Sequence, residues 1–211
     1  MFAQIASGIG TTLLVTGLSL LFGALLALPL AAARRSSIIA LRLVATAYLD
    51  VVRAIPPITW LFLIYFGLPQ YALRLDTLEA AVFGFSLIAS GYLAEIYRSG
   101  LLSIATGQWE ACTALGMGAW DRTRHVVGPQ AFRVCLPGIA TFAIALLKDS
   151  ALASTIGVQD ITYQAGLAAR ANQAGLLAFM IAGAIYIAIS IPLAFASRRV
   201  DRVMRTKIEV A

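Results

Sequence analysis

Five stretches of the chain are long, apolar and almost free of charge. We expect them to form membrane-spanning helices, because a helix needs roughly 20 apolar residues to cross the hydrocarbon core of a bilayer. The predicted spans cover residues 11–33, 54–72, 77–97, 134–158 and 171–197. The fourth is interrupted at Lys148 and Asp149. The pattern predicts an all-α integral membrane protein of about five spans, with residues 1–211 forming one domain.

Three polar or proline-rich interruptions separate these spans. Residues 36–53 carry a charge every few positions, which favours an interfacial or protein-buried helix over a lipid-facing one. The second span begins with Pro56 and Pro57, which should kink or delay its start. Residues 99–130 contain many charged side chains and no membrane-length apolar run. We therefore expect residues 99–130 to form a loop outside the membrane.

The distribution of basic residues predicts the orientation. With the N-terminus outside and the C-terminus in the cytoplasm, all but three of the 16 Lys and Arg residues lie on the cytoplasmic side; the exceptions are Arg74, Arg170 and Lys148. Cytoplasmic loops retain Lys and Arg, so this orientation is favoured over its inverse. It places the loop at 99–130 in the cytoplasm. Glu95 lies at the inner end of its span, where we expect it to pair with Arg98.

Composition supports a membrane protein and argues against several other classes. The chain is 60% hydrophobic and 12% charged, against roughly 25% charged in an average soluble domain. Its net charge of +6 reports topology and does not indicate nucleic-acid binding. Cys112 and Cys135 have no CxxC spacing, and His125 is the only histidine. The sequence therefore argues against a metal site, a disulfide framework and a catalytic triad.

Lys148 and Asp149 are the charged residues at membrane depth. An ionisable residue in a spanning segment costs at least ~2.5 kcal/mol on insertion scales and usually faces a partner or a polar cavity. Two hypotheses follow for this chain. In the first, Lys148 and Asp149 are paired locally and fix two helices. In the second, they lie along a polar substrate path, beside a helix interruption at "SALAST".

The loop at 99–130 also contains a recognisable motif. Permeases of binding-protein-dependent ABC importers carry E-A-A-x3-G-x9-I-x-L-P in a cytoplasmic loop, and this chain resembles them at Glu110, Ala111, Gly116 and Pro129. It differs in having Cys112, Val126 and Gly128 at the remaining motif positions. The blocks "YLDVVRAIPPITWLFLIYFGLP", "AEIYRSGLLSIATGQWEACTALGM", "PQAFRVCLPGI" and "LLKDSALASTIGVQD" resemble the polar amino acid branch, which serves histidine, arginine, glutamine and opines.

The resemblance implies a type I ABC importer permease with a cytoplasmic coupling helix. Glu110 would anchor that helix on an ATPase, Ala111 and Cys112 would form its close-packing face, and Gly116 would end it. Pro129 completes the motif at the far end of the loop. The resemblance also implies a multi-pass protein of the bacterial inner membrane and a non-enzymatic chain. ATP and Mg²⁺ would bind a separate P-loop ATPase dimer, since this chain has no G-x4-G-K-[ST] loop.

The same resemblance implies further partners and a substrate path. The partners are a second permease subunit, identical or similar, an extracytoplasmic solute-binding protein and a polar amino acid or opine. Asp149, with Lys148 beside it, would pair with the amino group of the substrate. The hydroxyl groups of Ser150 and Ser154 would complete the path, and Leu61 and Tyr65 would form its apolar side.

Two other functions stay open on the residues alone. A secondary transporter or channel could use Lys148 and Asp149 for ion coupling, although no internal repeat of the kind that builds many such carriers is detectable. An exporter docked to an ATPase, or a membrane scaffold without cargo, is the other alternative. Co-purification of a P-loop ATPase and a requirement for a soluble binding protein would favour the importer.

Overall fold

The computed structural model describes residues 1–71 and 73–208, except the side chains of Ala196 and residues 200–208, and this part of the chain contains helices and no strand. Ten α-helices follow in order: α1 Phe2–Ala6, α2 Ile9–Arg34, α3 Ile39–Ala54, α4 Pro57–Phe62, α5 Thr77–Leu102, α6 Thr106–Ala114, α7 Ala119–Arg122, α8 Gly128–Asp149, α9 Ile161–Asn172 and α10 Gly175–Ile208. A π-helical turn, Thr123–Val127, joins α7 to α8.

The helices include four segments long and apolar enough to cross a membrane: Phe2–Arg34, Thr77–Leu102, Ala119–Ile156 and Gly175–Arg199. A bent pair, Ile39–Ala54 with Pro57–Tyr71, raises the number to five if the pair is counted as one span. The predicted all-α fold with about five spans is therefore confirmed. The inside and outside assignment of the termini stays a prediction.

The bend of 102° between α3 and α4 corrects the start of the second predicted span. That span was expected from residue 54, but Ala54 ends α3 and Ile55 is extended before α4 begins at Pro57. Proline disfavours helical backbone in the residue before it, so the chain cannot continue α3 through this point. The indole N–H of Trp60 donates to the Val52 carbonyl oxygen at 3.2 Å and thereby fixes the bend.

The core lies mainly between α2 and α5. One stripe of α2 is buried, and its members are mostly small or hydroxylated: Thr12, Val15, Thr16, Ser19, Gly23, Ala27 and Ala31. A side chain at Gly23 would overlap the methyl group of Ala89 on α5, so the two backbones approach more closely than larger residues would allow. The opposite stripe of α2 exposes leucines, as expected of a lipid-facing surface.

The second half of the chain differs from the predicted spans at two points. The helical part of the fourth span ends at Asp149, and Ser150–Ile156 continue as a 3₁₀ helix that Gly157 closes with φ 98°. The interruption therefore lies directly after the charged pair and not at it. The last predicted span begins too early, because α9 extends to Asn172 and the chain reverses at Gln173 before α10 begins at Gly175.

Candidate functional site

The motif at residues 110–116 forms a short, cleanly terminated helix. Helix α6 ends at Ala114, and Gly116 adopts φ 67°, a left-handed conformation that glycine accepts without strain. The N–H of Gly116 donates to the Thr113 carbonyl and that of Met117 to the Cys112 carbonyl, both at 3.0 Å. These two bonds form a Schellman motif, which satisfies the last carbonyl groups of the helix. Gly116 thus turns the chain at the end of α6, as its position in the motif implied.

Only part of the motif faces outward from this chain. Glu110, Ala111, Ala114 and Leu115 are exposed on one side of α6, and we call these four residues the α6 surface. Leu115 retains 78% of its accessible area. Cys112 is only 2% exposed, so the expectation that it belongs to the outward close-packing face is wrong. The helical repeat of 3.6 residues places it on the opposite side of α6 from Glu110 and about a quarter of a turn from Ala111.

Trp109 ties α6 to two other segments. The guanidinium carbon of Arg35, directly after α2, lies 5.2 Å from the centre of the indole ring, and that of Arg122, in α7, lies 5.1 Å from it. Both distances are within the range of a cation–π interaction. The ring also packs against a small buried cluster that contains Ile104 and Val127. Trp109 therefore joins α6 to the end of α2 and to the start of the segment that leads into α8.

The entry to α8 shows how Gly128 fits where the motif usually has leucine. A Cβ atom at Gly128 would collide with the Thr123 carbonyl oxygen, because the π-helical turn brings that oxygen unusually close. Pro129 occupies the first turn of α8, where the missing N–H removes little helical hydrogen bonding. Glycine and proline together therefore allow the π turn to continue directly into a spanning helix.

Glu95 connects α5 to α2 near the same end of the molecule. It forms the predicted ion pair with Arg98, and its other carboxylate oxygen accepts a hydrogen bond from Arg34 at 2.6 Å. Both pairs are partly buried, with side-chain exposures between 18% and 32%. The pairing with Arg98 is thus confirmed, and Arg34 is a partner that the sequence had not indicated.

The break after α8 packs against α4, but it does not present all the expected side chains. Leu61 and Ser150 are buried inside this chain, so the expectation that both line an accessible path is not met here. The Ser150 hydroxyl donates to the Leu147 carbonyl at 2.8 Å, and the Ser154 hydroxyl donates to the Ala151 carbonyl at 2.7 Å. Tyr65 is half-buried beside the same core. The hydroxyl groups thus support the 3₁₀ turn through bonds within it.

Lys148 and Asp149 are exposed at the end of α8. Within the described part of the chain neither forms an ion pair, so the hypothesis of a local pair that fixes two helices finds no support in a single subunit. An open groove of about 640 Å³ lies between α5, α8 and α10, and Thr141 and Ala145 line it. Positions 141, 145 and 149 are spaced by four residues, so they lie along one face of α8.

A comparison with known protein families identifies the family of this chain. The family model of the binding-protein-dependent transport system inner membrane component matches residues 6–206. The chain belongs to this family. The permease is 36% identical to the L-cystine transport system permease protein TcyB of Bacillus subtilis (strain 168), over 94% of this chain and 85% of TcyB. It is also 36% identical to the octopine transport system permease protein OccM of Rhizobium radiobacter, over 90% of this chain and 81% of OccM.

A solved structure supports the same assignment at the level of the fold. The permease matches a chain in the crystal structure of an amino acid ABC transporter with histidines, with a TM-score of 0.88 and 34% identity. The match covers 95% of this chain and 94% of the other. The family resemblance and the type I importer permease fold expected from the sequence are therefore confirmed.

Proposed function

We propose that this permease forms the translocation path of an ATP-driven importer for polar amino acids or opines in the bacterial inner membrane. Two observations support the substrate class: TcyB and OccM are named for cystine and octopine transport, and the similar solved structure is an amino acid transporter. The proposed assembly contains two permease subunits, identical or similar, a P-loop ATPase dimer that binds ATP and Mg²⁺, and an extracytoplasmic solute-binding protein.

The α6 surface is the observation that carries the coupling role. It lies on a short helix outside the spanning segments that ends in a glycine turn, and it exposes both Glu110 and Leu115. A helix can dock in a groove of a partner protein through exposed apolar side chains of this kind. Trp109 and the π turn would transmit the movement of α6 to α2 and α8. The partner is the cytoplasmic ATPase.

Charge reversal on the α6 surface tests this role. We expect Glu110→Lys to weaken co-purification of the ATPase, because it replaces an acidic contact by a repulsive or unpaired charge. Gln159→Lys adds a positive charge at an exposed site after the 3₁₀ turn and serves as the control. Equal recovery of the ATPase with both variants would contradict the proposed contact.

For the substrate path, we propose that Asp149 contacts the amino group of the substrate at the interface between two permease subunits. Its exposure in one subunit and its position on the same face of α8 as the groove support this role. Asp149→Ala should abolish uptake while the complex still assembles, and Asp50→Ala, at an exposed site on α3, should leave uptake unchanged. Normal uptake by the Asp149 variant would remove this assignment.

Family membership favours ATP-driven import over the ion-coupled alternative. If Lys148 and Asp149 instead coupled transport to an ion, uptake would follow an ion gradient without ATP. Uptake by liposomes that contain the assembled complex, with and without internal ATP, separates the two mechanisms.

A further inference from the structure

A carboxyl group is buried at the start of α9, at the end of α8 remote from α6. Asp160 is the N-cap of α9 and is only 1% exposed. Its Oδ1 atom accepts a hydrogen bond from the Tyr163 N–H at 2.7 Å. Its Oδ2 atom is buried and has no hydrogen-bond partner within the described part of the chain. A buried ionised carboxylate with one unpartnered oxygen is costly, because that oxygen is removed from bulk solvent without gaining a hydrogen bond.

Asp160 lies where three segments meet. At the start of α2, Gly8 packs so closely on the Asp160 and Ile161 backbone that a Cβ atom there would overlap it. The Thr12 hydroxyl oxygen, one turn further along α2, accepts a hydrogen bond from the Ile161 N–H at 3.3 Å. From α10, the Tyr186 hydroxyl shares a hydrogen bond with Thr162 at 3.2 Å. The start of α9 therefore holds the N-terminal part of α2 against α10.

Within the described residues, no cation compensates the carboxylate. Tyr186 is the titratable side chain that faces Asp160 from α10, and no basic side chain in the described residues pairs with it from α1, α2 or α10. Burial raises the pKa of Asp160 from 3.8 to about 6, against the opposing effect of the Tyr163 and Thr162 N–H groups and of the Tyr186 hydroxyl. Removal from water therefore outweighs the donors that favour the charged form.

We propose that Asp160 is a proton-binding site that controls how tightly α9 is held against α2 and α10. With the proton bound, the neutral carboxyl group stays buried and the three segments remain locked together. Loss of the proton leaves a charge buried with an unpartnered oxygen, and α9 loosens from its neighbours. This inference does not depend on the transported substrate, and it is testable on the isolated permease.

The direction of the pH effect follows from linkage. Between pH 3.8 and about 6 the folded chain holds the Asp160 proton and the unfolded chain has lost it. Stability therefore falls as the pH rises through this window and levels off above it. A pKa difference of this size corresponds to proton binding on the order of 100-fold tighter in the folded chain.

The test is the thermal unfolding midpoint of the purified full chain in detergent, measured from pH 4.5 to 7.5. We expect the midpoint of the unaltered permease to fall as the pH rises and that of Asp160→Asn to lose this dependence. Asp76→Asn is the matched control, because Asp76 caps α5 at an exposed site through the same type of bond and should keep the pH dependence. A flat profile for the unaltered permease, or an unchanged slope in Asp160→Asn, overturns the proposal.

A second measurement covers the case in which Asp160→Asn does not fold. Hydrogen exchange of Ile161–Asn172 in the unaltered permease, corrected for intrinsic rates, should accelerate as the pH rises through about 6. Tyr186→Phe removes a hydroxyl that favours the charged form, so it should move this transition to higher pH. Exchange in α9 that does not change between pH 5 and 7.5 would likewise overturn the proposal.

Discussion

The cation–π contacts of Trp109 with Arg35 and Arg122 give a quantitative prediction for the stability of α6. Trp109→Leu keeps apolar contact with the Ile104 cluster but removes the aromatic ring that both guanidinium groups approach. Each cation–π interaction contributes about 0.5–1 kcal/mol at an exposed site, so we expect a loss of about 1–2 kcal/mol. That corresponds to about 5- to 30-fold faster local opening.

The assay is hydrogen exchange of Thr106–Ala114 in the purified permease, with exchange of α5 as the internal reference. Trp120→Leu is the matched control: Trp120 lies on α7, it is 71% exposed, and no cation–π contact involves it in the described residues. Hydrogen exchange of α6 in Trp120→Leu should match that in the unaltered chain. Rates for Trp109→Leu within about twofold of the control would show that the ring does not hold α6 in place.

Three further changes test the packing and charge pairing described above. Gly100→Ala should lower the free energy of unfolding by about 1–3 kcal/mol, because its new methyl group overlaps the Cys135 sulfur. An unchanged thermal unfolding midpoint would count against the close approach of α5 and α8. Glu95→Gln should cost about 1–2 kcal/mol by weakening its bonds to Arg34 and Arg98, and high salt should reduce the difference between the two proteins; equal sensitivity to salt would contradict an ionic contribution. Gly116→Ala should lower the free energy of local opening of α6, measured by hydrogen exchange, by about 1 kcal/mol, because alanine is strained at positive φ. Equal exchange rates of α6 in the variant and the unaltered chain would exclude that strain.

The spanning helices could be predicted because each is an apolar run long enough to cross the hydrocarbon core of a bilayer. The same holds for the end of α6, since a glycine after a short polar helix indicates a left-handed turn. The motif also located Glu110 and Ala111 on the exposed side. These features depend on residues close together along the chain, so a local pattern contains the information.

Features that depend on distant segments could not be predicted from the sequence. The cation–π contacts of Trp109 require the end of α2, α6 and α7 to meet, and the local pattern did not indicate the burial of Cys112 either. The break after Asp149 depends on how the following turn packs against α4, and an apolar pattern locates it only to within a few residues. Nothing close to Asp160 along the chain indicates its burial, since the close packing of its backbone against Gly8, just before α2, joins residues about 150 positions apart.

The most direct test of the central claim is uptake by liposomes that contain this permease assembled with an ATPase, with a solute-binding protein supplied outside. Labelled amino acids and octopine are offered with and without ATP inside the liposomes. The account predicts accumulation of at least one polar amino acid or opine that requires both ATP and the binding protein, and that Glu110→Lys reduces. Accumulation that follows an ion gradient without ATP, or that does not need the binding protein, would contradict it.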